Sequence, residues 1–322
     1  MFSREPTASA APIVGRLAPS PTGAQHVGNA RTYLIAWLAA RCAGGRVVLR
    51  IEDIDSPRVK AGAFEQTCID LRWLGLDWDE GPIIQTQRLP EHRAALDQLL
   101  ARDLVYPCTC TRGDIERAAS APHLDHEGPL YPGSCAHRRV ADAASLGSQP
   151  AWRFRLPAES PVFHDAFLGE QRIDLHRVGG DFVVWKFAGT PAYQLAVVVD
   201  DAAQGVTQVV RGDDLVTSTP RQLLLYATLG LQPPAFCHVP LVVGTDGRRL
   251  AKRHGDTRLA ALRAQGVTAE SLLGLLAWSC GWLPKVEPIA LRELLPLFRL
   301  DTIPRQPFVL EPALLRGIGY SA

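Results

Sequence analysis

The chain has 322 residues, a formal net charge of +1 and an apolar content of 47%, enough for about two domains around a sizeable core. Near-neutrality excludes a globally basic nucleic-acid binder, so an RNA partner would need a local basic face. Seven cysteines in a chain this long do not read as a secreted disulfide framework, and no apolar run reaches membrane-spanning length, so a cytoplasmic protein without membrane contact is expected. Residues 1–12 are mixed in character, lack an apolar signal core and read as a flexible lead.

Ile13 and Val14 open a first strand. It runs into a Pro/Gly turn carrying Arg16, Pro19, Ser20, Pro21 and Gly23. An apolar-periodic segment follows over residues 27–41, with Val27, Ala30, Leu34, Trp37 and Leu38 near helical spacing. Strand, turn and helix open a nucleotide-binding α/β unit, and the unpaired N–H groups at such a helix start can take phosphate. His26 stands at that start, and Gly28 removes a side chain that could block a ligand. Residues 46–51, β-branched after Gly44 and Gly45, form a second strand that delivers Glu52, Asp53 and Asp55 at its carboxyl end, where open α/β sheets bind ligands. Asp55 reads as part of a solvated acidic turn. Pro57 can start a helix with Phe64, Cys68, Leu71 and Leu74 on its apolar face, and residues 89–102 form another. Cys42 and Cys68 read as small core residues.

From residue 104 to 139 the pattern breaks. Cys108 and Cys110 lie near its start, Tyr131 and Cys135 near its end, with Pro, His and Gly residues between and no clear period. Three cysteines at this spacing suggest zinc, which takes four ligands in a tetrahedron. Chemistry alone leaves the fourth open among His123, His126, His137 and Tyr131, and favours a histidine. Residues 141–150 read as a loop, 152–156 as a half-exposed strand, and 163–173 as a hairpin around Gly169. Residues 182–187, 193–199 and 206–211 are expected to be strands. Thr219 and Pro220 start a helix that runs to Leu229 and stops at Gly230. Residues 236–243 form the last sheet strand, followed by a turn through Gly244 and Gly247 and by a mobile basic loop, Arg248 to Arg253 in number, that contains Lys252. An apolar helix is expected over 268–280, a shorter helical piece over 291–295, and a tail or final helix over 305–322.

His26, Val27, Gly28 and Asn29 resemble the first signature of class I aminoacyl-tRNA synthetases, and residues 249–253 resemble the second, lysine-containing one. Ala251 departs from the small hydroxyl residue usual there. Residues 16–23, 49–55 and 211–222 resemble the glutamyl branch, and the similarity covers roughly residues 13–280 in the right motif order. The implied fold is an α/β Rossmann-like parallel sheet with an inserted α+β zinc-binding subdomain and a short carboxyl-terminal helical region. Residues 13–103 would be the first half of the catalytic domain, 104–180 the inserted RNA-contacting zinc subdomain, 181–255 the second half with the lysine loop, and 256–322 a short helical region without an anticodon-binding domain. The truncated members of this branch attach glutamate to queuosine in the anticodon of tRNA(Asp), and the short region after Arg253 points to them. The alternatives are an enzyme that charges tRNA(Glu), or a non-catalytic paralogue that binds RNA or glutamate.

The resemblance also implies roles. Activation joins the glutamate α-carboxylate to the α-phosphate of ATP with loss of pyrophosphate, by positioning and electrostatics rather than a protein nucleophile. His26 and Lys252 are the expected catalytic residues, and His26, Gly28, Lys252 and Arg253 the ATP contacts, with Mg²⁺ accompanying the nucleotide. Arg16, Ser20, Glu52, Tyr193 and Arg211 are the expected glutamate pocket, Glu52 facing the α-ammonium and the arginine forks the side-chain carboxylate. The truncated relatives place a tyrosine four residues before the last cysteine. By that resemblance one structural Zn²⁺ per chain is held by Cys108, Cys110, Tyr131 and Cys135. ATP, L-glutamate and queuosine-containing tRNA(Asp) are the expected partners, and a monomer the expected state.

Overall fold

A computed structural model of the chain describes residues 12–21, 24–54, 59, 61–118, 130–250 and 256–321. Lys252 and Arg253, expected at the nucleotide, lie outside them, as do Ala251, Asp55, Pro57, His123 and His126.

The chain opens with strand β1 (Val14–Leu17), helix α1 (Val27–Cys42) and strand β2 (Arg46–Ile51), then helix α2 (Ala63–Trp73) and strand β3 (Glu80–Ile84). The three strands pair in parallel in the order β1-β2-β3, with Arg16 opposite Val48. The five apolar positions that pointed to the first helix, Val27, Ala30, Leu34, Trp37 and Leu38, are all buried in the main core. Arg31 is buried among them because its fork is satisfied: Nε donates to Ser279 Oγ at 2.9 Å and Nη1 to the Pro240 carbonyl at 2.8 Å.

Helix α3 (Leu89–Ala101) leads to strand β4 (Val105–Cys108) and helix α4 (Arg112–Ala118). Strand β5 (Ala151–Phe154), the hairpin β6 (Val162–Asp165) and β7 (Gly169–Arg172), and strand β8 (Phe182–Trp185) follow. β4, β5 and β8 form an antiparallel sheet, so the sheet that starts inside residues 104–180 is completed by 182–185.

Residues 193–199, expected as a strand, are instead the start of helix α5 (Tyr193–Ala203). The misreading has a physical cause. This helix buries Leu195, Ala196, Val197 and Val198 in succession, so its valine run carries no 3.6-residue period. Strand β9 (Gln208–Gly212) comes next and helix α6 (Ser218–Leu229) ends, as read, at Gly230 with φ +69°, a left-handed cap. Strand β10 (Ala235–Val239) pairs in parallel with β9, placing His238 opposite Arg211. The expected long last strand stops there. Pro240 lacks an N–H for the ladder, and the chain resumes as the short β11 (Val242–Val243). At its start β9 is tied to β1, Thr207 N donating to the Val14 carbonyl at 3.0 Å and Val14 N to Thr207 Oγ1 at 2.8 Å. The parallel strands therefore lie side by side as β3-β2-β1-β9-β10, and chain order reverses between β1 and β9.

Helices α7 (Leu259–Ala264) and α8 (Ala269–Ser279), strand β12 (Phe308–Val309) and helix α9 (Pro312–Gly317) complete the fold. Thr268 caps α8 by accepting from Ser271 N at 3.1 Å. β12 pairs with β11, and Leu272, Leu276, Leu294 and Leu315 join the same core as Leu34 and Trp37. Among the described residues no helix is long and apolar enough to cross a membrane.

Candidate active site and cysteine cluster

His26 is the N-cap of α1. Its Nδ1 accepts from Gly28 N at 3.1 Å and Asn29 N at 3.4 Å, and Asn29 Oδ1 accepts in return from His26 N at 3.1 Å. A nitrogen that accepts two N–H groups is unprotonated, so the neutral ring carries its proton on Nε2. Burial lowers the imidazole from its ordinary value of 6.5 and keeps it neutral. The outcome is an Nε2–H donor at the positive end of a helix dipole. Gly28 has a nearer reason than clearance for a ligand. A Cβ there would stand 3.0 Å from His26 Cε1 and 3.1 Å from Nδ1, and would push the capping ring aside.

His26 and Gly28 line a cavity of about 570 Å³ that lies over the carboxyl ends of β1, β2 and β9, where the strand order reverses. Arg16, Ser20, Glu52, Tyr193 and Arg211 line the same cavity. Their charges are arranged by a helix that sequence reasoning misread. Asp201 of α5 accepts from Arg16 Nε at 3.0 Å and from Arg50 Nη1 at 2.7 Å. Arg50 Nη2 in turn holds Glu52 Oε1 at 2.9 Å. Among the described residues no hydrogen bond engages the Nη groups of Arg16. Arg211 is buried. Its Nε donates to His238 Nε2 at 2.9 Å and Nη2 to Thr219 Oγ1 at 2.8 Å, while Nη1 has no hydrogen-bond partner among the described residues. Burial lowers the Arg211 guanidinium from its ordinary value, and Tyr193 beside it works against that. Asp201 and Glu52 thus serve Arg16 and Arg50, while Arg211 touches no carboxylate directly, Asp165 standing behind His238. A buried, half-satisfied arginine is costly unless an anion completes it, and the unpaired Nη1 marks where an anion fits.

The described residues that flank the lysine loop stand at this cavity or beside His26. Leu250 is on the cavity wall, and Val27 N donates to the Thr257 carbonyl at 3.0 Å, next to His26. Lys252 and Arg253 are carried on the five residues between the described ends.

Away from the cavity, Cys108, Cys110 and Cys135 bring their sulfurs within 4.8 Å of one another. Cys110 Sγ lies 3.6 Å from Cys135 Sγ, and Cys108 Sγ lies 3.5 Å from Tyr131 Oη. A tetrahedral ion with metal–sulfur bonds of about 2.3 Å has sulfur–sulfur edges of about 3.8 Å, and a metal–oxygen bond of about 2.0 Å puts the oxygen about 3.5 Å from each sulfur. These two separations match edges of a Cys₃Tyr tetrahedron. His137 is not part of the group. Burial pushes the Cys135 thiol up, yet the Thr109 backbone N–H, the Tyr131 hydroxyl and the Cys110 thiol outweigh it and bring it down to about 7. Arg153 supplies counter-charge, its Nε 3.3 Å from Cys108 Sγ and its guanidinium 3.8 Å from the Tyr131 ring centre.

Residues 12–293 match the family model of the catalytic domain of class I tRNA synthetases of the E and Q type. The chain belongs to this family. It is 51% identical over 309 residues to a glutamyl-Q tRNA(Asp) synthetase of Symbiobacterium thermophilum, covering 92% of this chain and 95% of the relative. It is 40% identical to a glutamate–tRNA ligase 2 of Halorhodospira halophila, covering 94% of this chain and 64% of that protein. Its fold superposes on the crystal structure of a glutamate tRNA ligase from Elizabethkingia meningosepticum with a TM-score of 0.80 at 23% identity, over 95% of this chain and 68% of that one.

In this synthetase the sequence motifs name most of the cavity wall and miss its supports. Tyr33, Asn29 and Thr32 line the cavity from α1. Their signal was available, since Asn29 and Tyr33 follow His26 at helical spacing. Asp214 and Arg249 lie inside motifs that the sequence displays, but their pairing with each other across the cavity does not show there. Asp201 and His238 have no such signal, because their partners are distant in sequence and reached only through the fold.

Proposed function

We propose that this synthetase activates L-glutamate with ATP and transfers it to queuosine in the anticodon of tRNA(Asp). The observation that carries the reading is the 51% identity to a glutamyl-Q tRNA(Asp) synthetase across 92% of the chain, above the 40% to a glutamate–tRNA ligase. The cavity supports it, since the buried Arg211 Nη1, without a hydrogen-bond partner among the described residues, suits a carboxylate. In this reading the Nη groups of Arg16 and Arg211 fork onto the side-chain carboxylate with Tyr193, Glu52 takes the α-ammonium, and Ser20 lies at the rim. The α-carboxylate oxygen attacks the α-phosphorus of ATP and the bond to pyrophosphate breaks. The N–H groups of the first turn of α1 are already taken by His26 and the Thr257 carbonyl, so it is His26 Nε2–H and the positive end of the α1 dipole that steady the phosphate charge as it redistributes, with Lys252 and Arg253 on the leaving pyrophosphate. Mg²⁺ arrives with the nucleotide and shares that charge. A hydroxyl of the queuosine cyclopentene ring then attacks the activated carbonyl and releases AMP.

Residues 13–103 and 181–255 act as the two halves of the catalytic domain, and 104–180 as the RNA-contacting insertion, stiffened by one Zn²⁺ on Cys108, Cys110, Tyr131 and Cys135. An anticodon loop suits such a site because its unstacked base can be splayed out and read by stacking and edge hydrogen bonds.

The test is nucleoside mass analysis after reaction with labelled glutamate. Label is expected on the anticodon nucleoside of queuosine-containing tRNA(Asp), and none on tRNA(Asp) with guanine there. Label on the 3′-terminal adenosine of tRNA(Glu) instead would favour a tRNA(Glu)-charging enzyme.

A further inference from the structure

Arg211 is held by a buried chain of hydrogen bonds that leaves the cavity altogether. Behind it on β10, His238 is fully buried. His238 Nε2 accepts from Arg211 Nε at 2.9 Å and stands 3.2 Å from Thr219 Oγ1, which itself accepts from Arg211 Nη2. On its far side His238 Nδ1 meets Asp165 Oδ2 at 2.6 Å. Asp165, also fully buried, accepts at Oδ1 from Phe167 N at 2.9 Å and Leu168 N at 2.8 Å, and the His238 N–H is shared between Oδ1 at 3.2 Å and Oδ2 at 3.1 Å. Arg211 has only N–H groups to offer, so the ring nitrogen facing it must be bare. The other nitrogen then carries the proton and donates it to Asp165. Burial lowers the His238 imidazole and the Arg211 charge adds to this, against the opposing pull of Asp165.

We propose that Asp165 and His238 are positioning residues for substrate recognition: the carboxylate fixes the imidazole as its Nδ1–H tautomer, and the bare Nε2 locks the Arg211 guanidinium with Nη1 left for the side-chain carboxylate of the amino acid. The inference rests on the reading of the cavity as a glutamate pocket. It assigns specificity to two residues that touch no substrate. A guanidinium gripped along its Nε and Nη2 edges has one orientation to present, so an acid one methylene shorter meets it badly.

Asp165→Asn targets the tautomer. The Phe167 and Leu168 N–H groups at Oδ1 favour the amide oxygen there, which places the NH₂ where Oδ2 stood and leaves the His238 N–H with its 3.2 Å bond to Oδ1 alone. That NH₂ donates to His238 Nδ1, the ring proton moves to Nε2, and two donors face each other across 2.9 Å. Glutamate-dependent ATP–pyrophosphate exchange on the full chain gives the readout, with a thermal melt for each variant. Asp165→Asn is expected to raise the glutamate KM roughly tenfold or more, as losing a hydrogen bond to a charged group does, with kcat within about threefold and the ATP KM unchanged. The second pair is His238→Gln, which keeps an acceptor near Arg211, and His238→Phe, which keeps only shape. The glutamate KM should rise further in the phenylalanine variant. A measurement on the unaltered protein needs no variant to fold: ¹⁵N-histidine spectra should show His238 as the Nδ1–H tautomer, and the Nε2–H tautomer would overturn the relay. Unchanged KM in Asp165→Asn, or equal KM in the two His238 variants, would also overturn it provided Arg211→Ala raises KM. If Arg211→Ala leaves the glutamate KM unchanged, it is the glutamate pocket itself that fails.

Discussion

His26 is placed to do two jobs, and one substitution separates them. Nδ1 caps α1, and Nε2–H faces the cavity. His26→Asn keeps a short side-chain acceptor, which caps helices as well as any residue, but removes the ring and its second nitrogen. His26→Ala removes both. The cap has one good bond at 3.1 Å and one long one at 3.4 Å, so its loss in the alanine variant is expected to cost about 1 kcal/mol rather than the upper end of the N-cap range. The asparagine variant should lose a few tenths at most. Activation should behave differently. Losing a pre-oriented donor to developing phosphate charge costs on the order of 100-fold or more, so both variants should slow pyrophosphate exchange by about that factor. The assay is exchange rate beside urea unfolding for the three proteins. Wild-type exchange in His26→Asn would refute the phosphate role. Equal stability of the alanine and wild-type proteins would refute the cap.

Lys252→Ala is expected to reduce pyrophosphate exchange by on the order of 100-fold or more, and a wild-type rate would remove Lys252 from the reaction. Asp201→Ala leaves the buried Arg16 and Arg50 without their shared carboxylate, so it should destabilise the fold by about 3–5 kcal/mol in denaturant titrations. His26 and His238 both sit below the ordinary histidine value when folded, so on acidification the unfolded chain takes up their protons first. Stability should therefore fall as pH drops through about 6.5 and level off below the folded values, a slope that urea midpoints between pH 7.5 and 5 would reveal. Protein prepared without chelators should contain one zinc per chain, and Tyr131→Phe should bind it more weakly. Unchanged zinc affinity in that variant would take Tyr131 out of the ligand set.

The legible parts of this chain were those whose signal is local. The α1 periodicity and the Gly230 stop each rest on residues within a turn or two of one another, and each element stands where it was read. The errors fall where burial erases the period. Helix α5 is enclosed on nearly every side, so its valines look like a central strand. The short edge pairing of β11 with β12 joins residues some 65 positions apart, and neither segment is long enough to declare itself alone.

Arg16 and Arg211 show why the site was harder to read than the fold. A motif can state that both arginines belong to one pocket, but not what holds them there. Each stands on a parallel strand flanking the reversal of chain order, and that reversal opens the crevice between them. The supports then follow from what lies behind each strand. α5 sets Asp201 under Arg16 and Arg50, while the β9–β10 register sets His238 opposite Arg211. A guanidinium leaning on a carboxylate gives up part of its charge to the protein. One leaning on a neutral imidazole keeps its charge for the ligand. On that ground Arg211, rather than Arg16, should dominate the recognition of the side-chain carboxylate, and Arg211→Ala should raise the glutamate KM more than Arg16→Ala does in the exchange assay. The reverse order would mean that Asp201 yields its hold on Arg16 when substrate arrives.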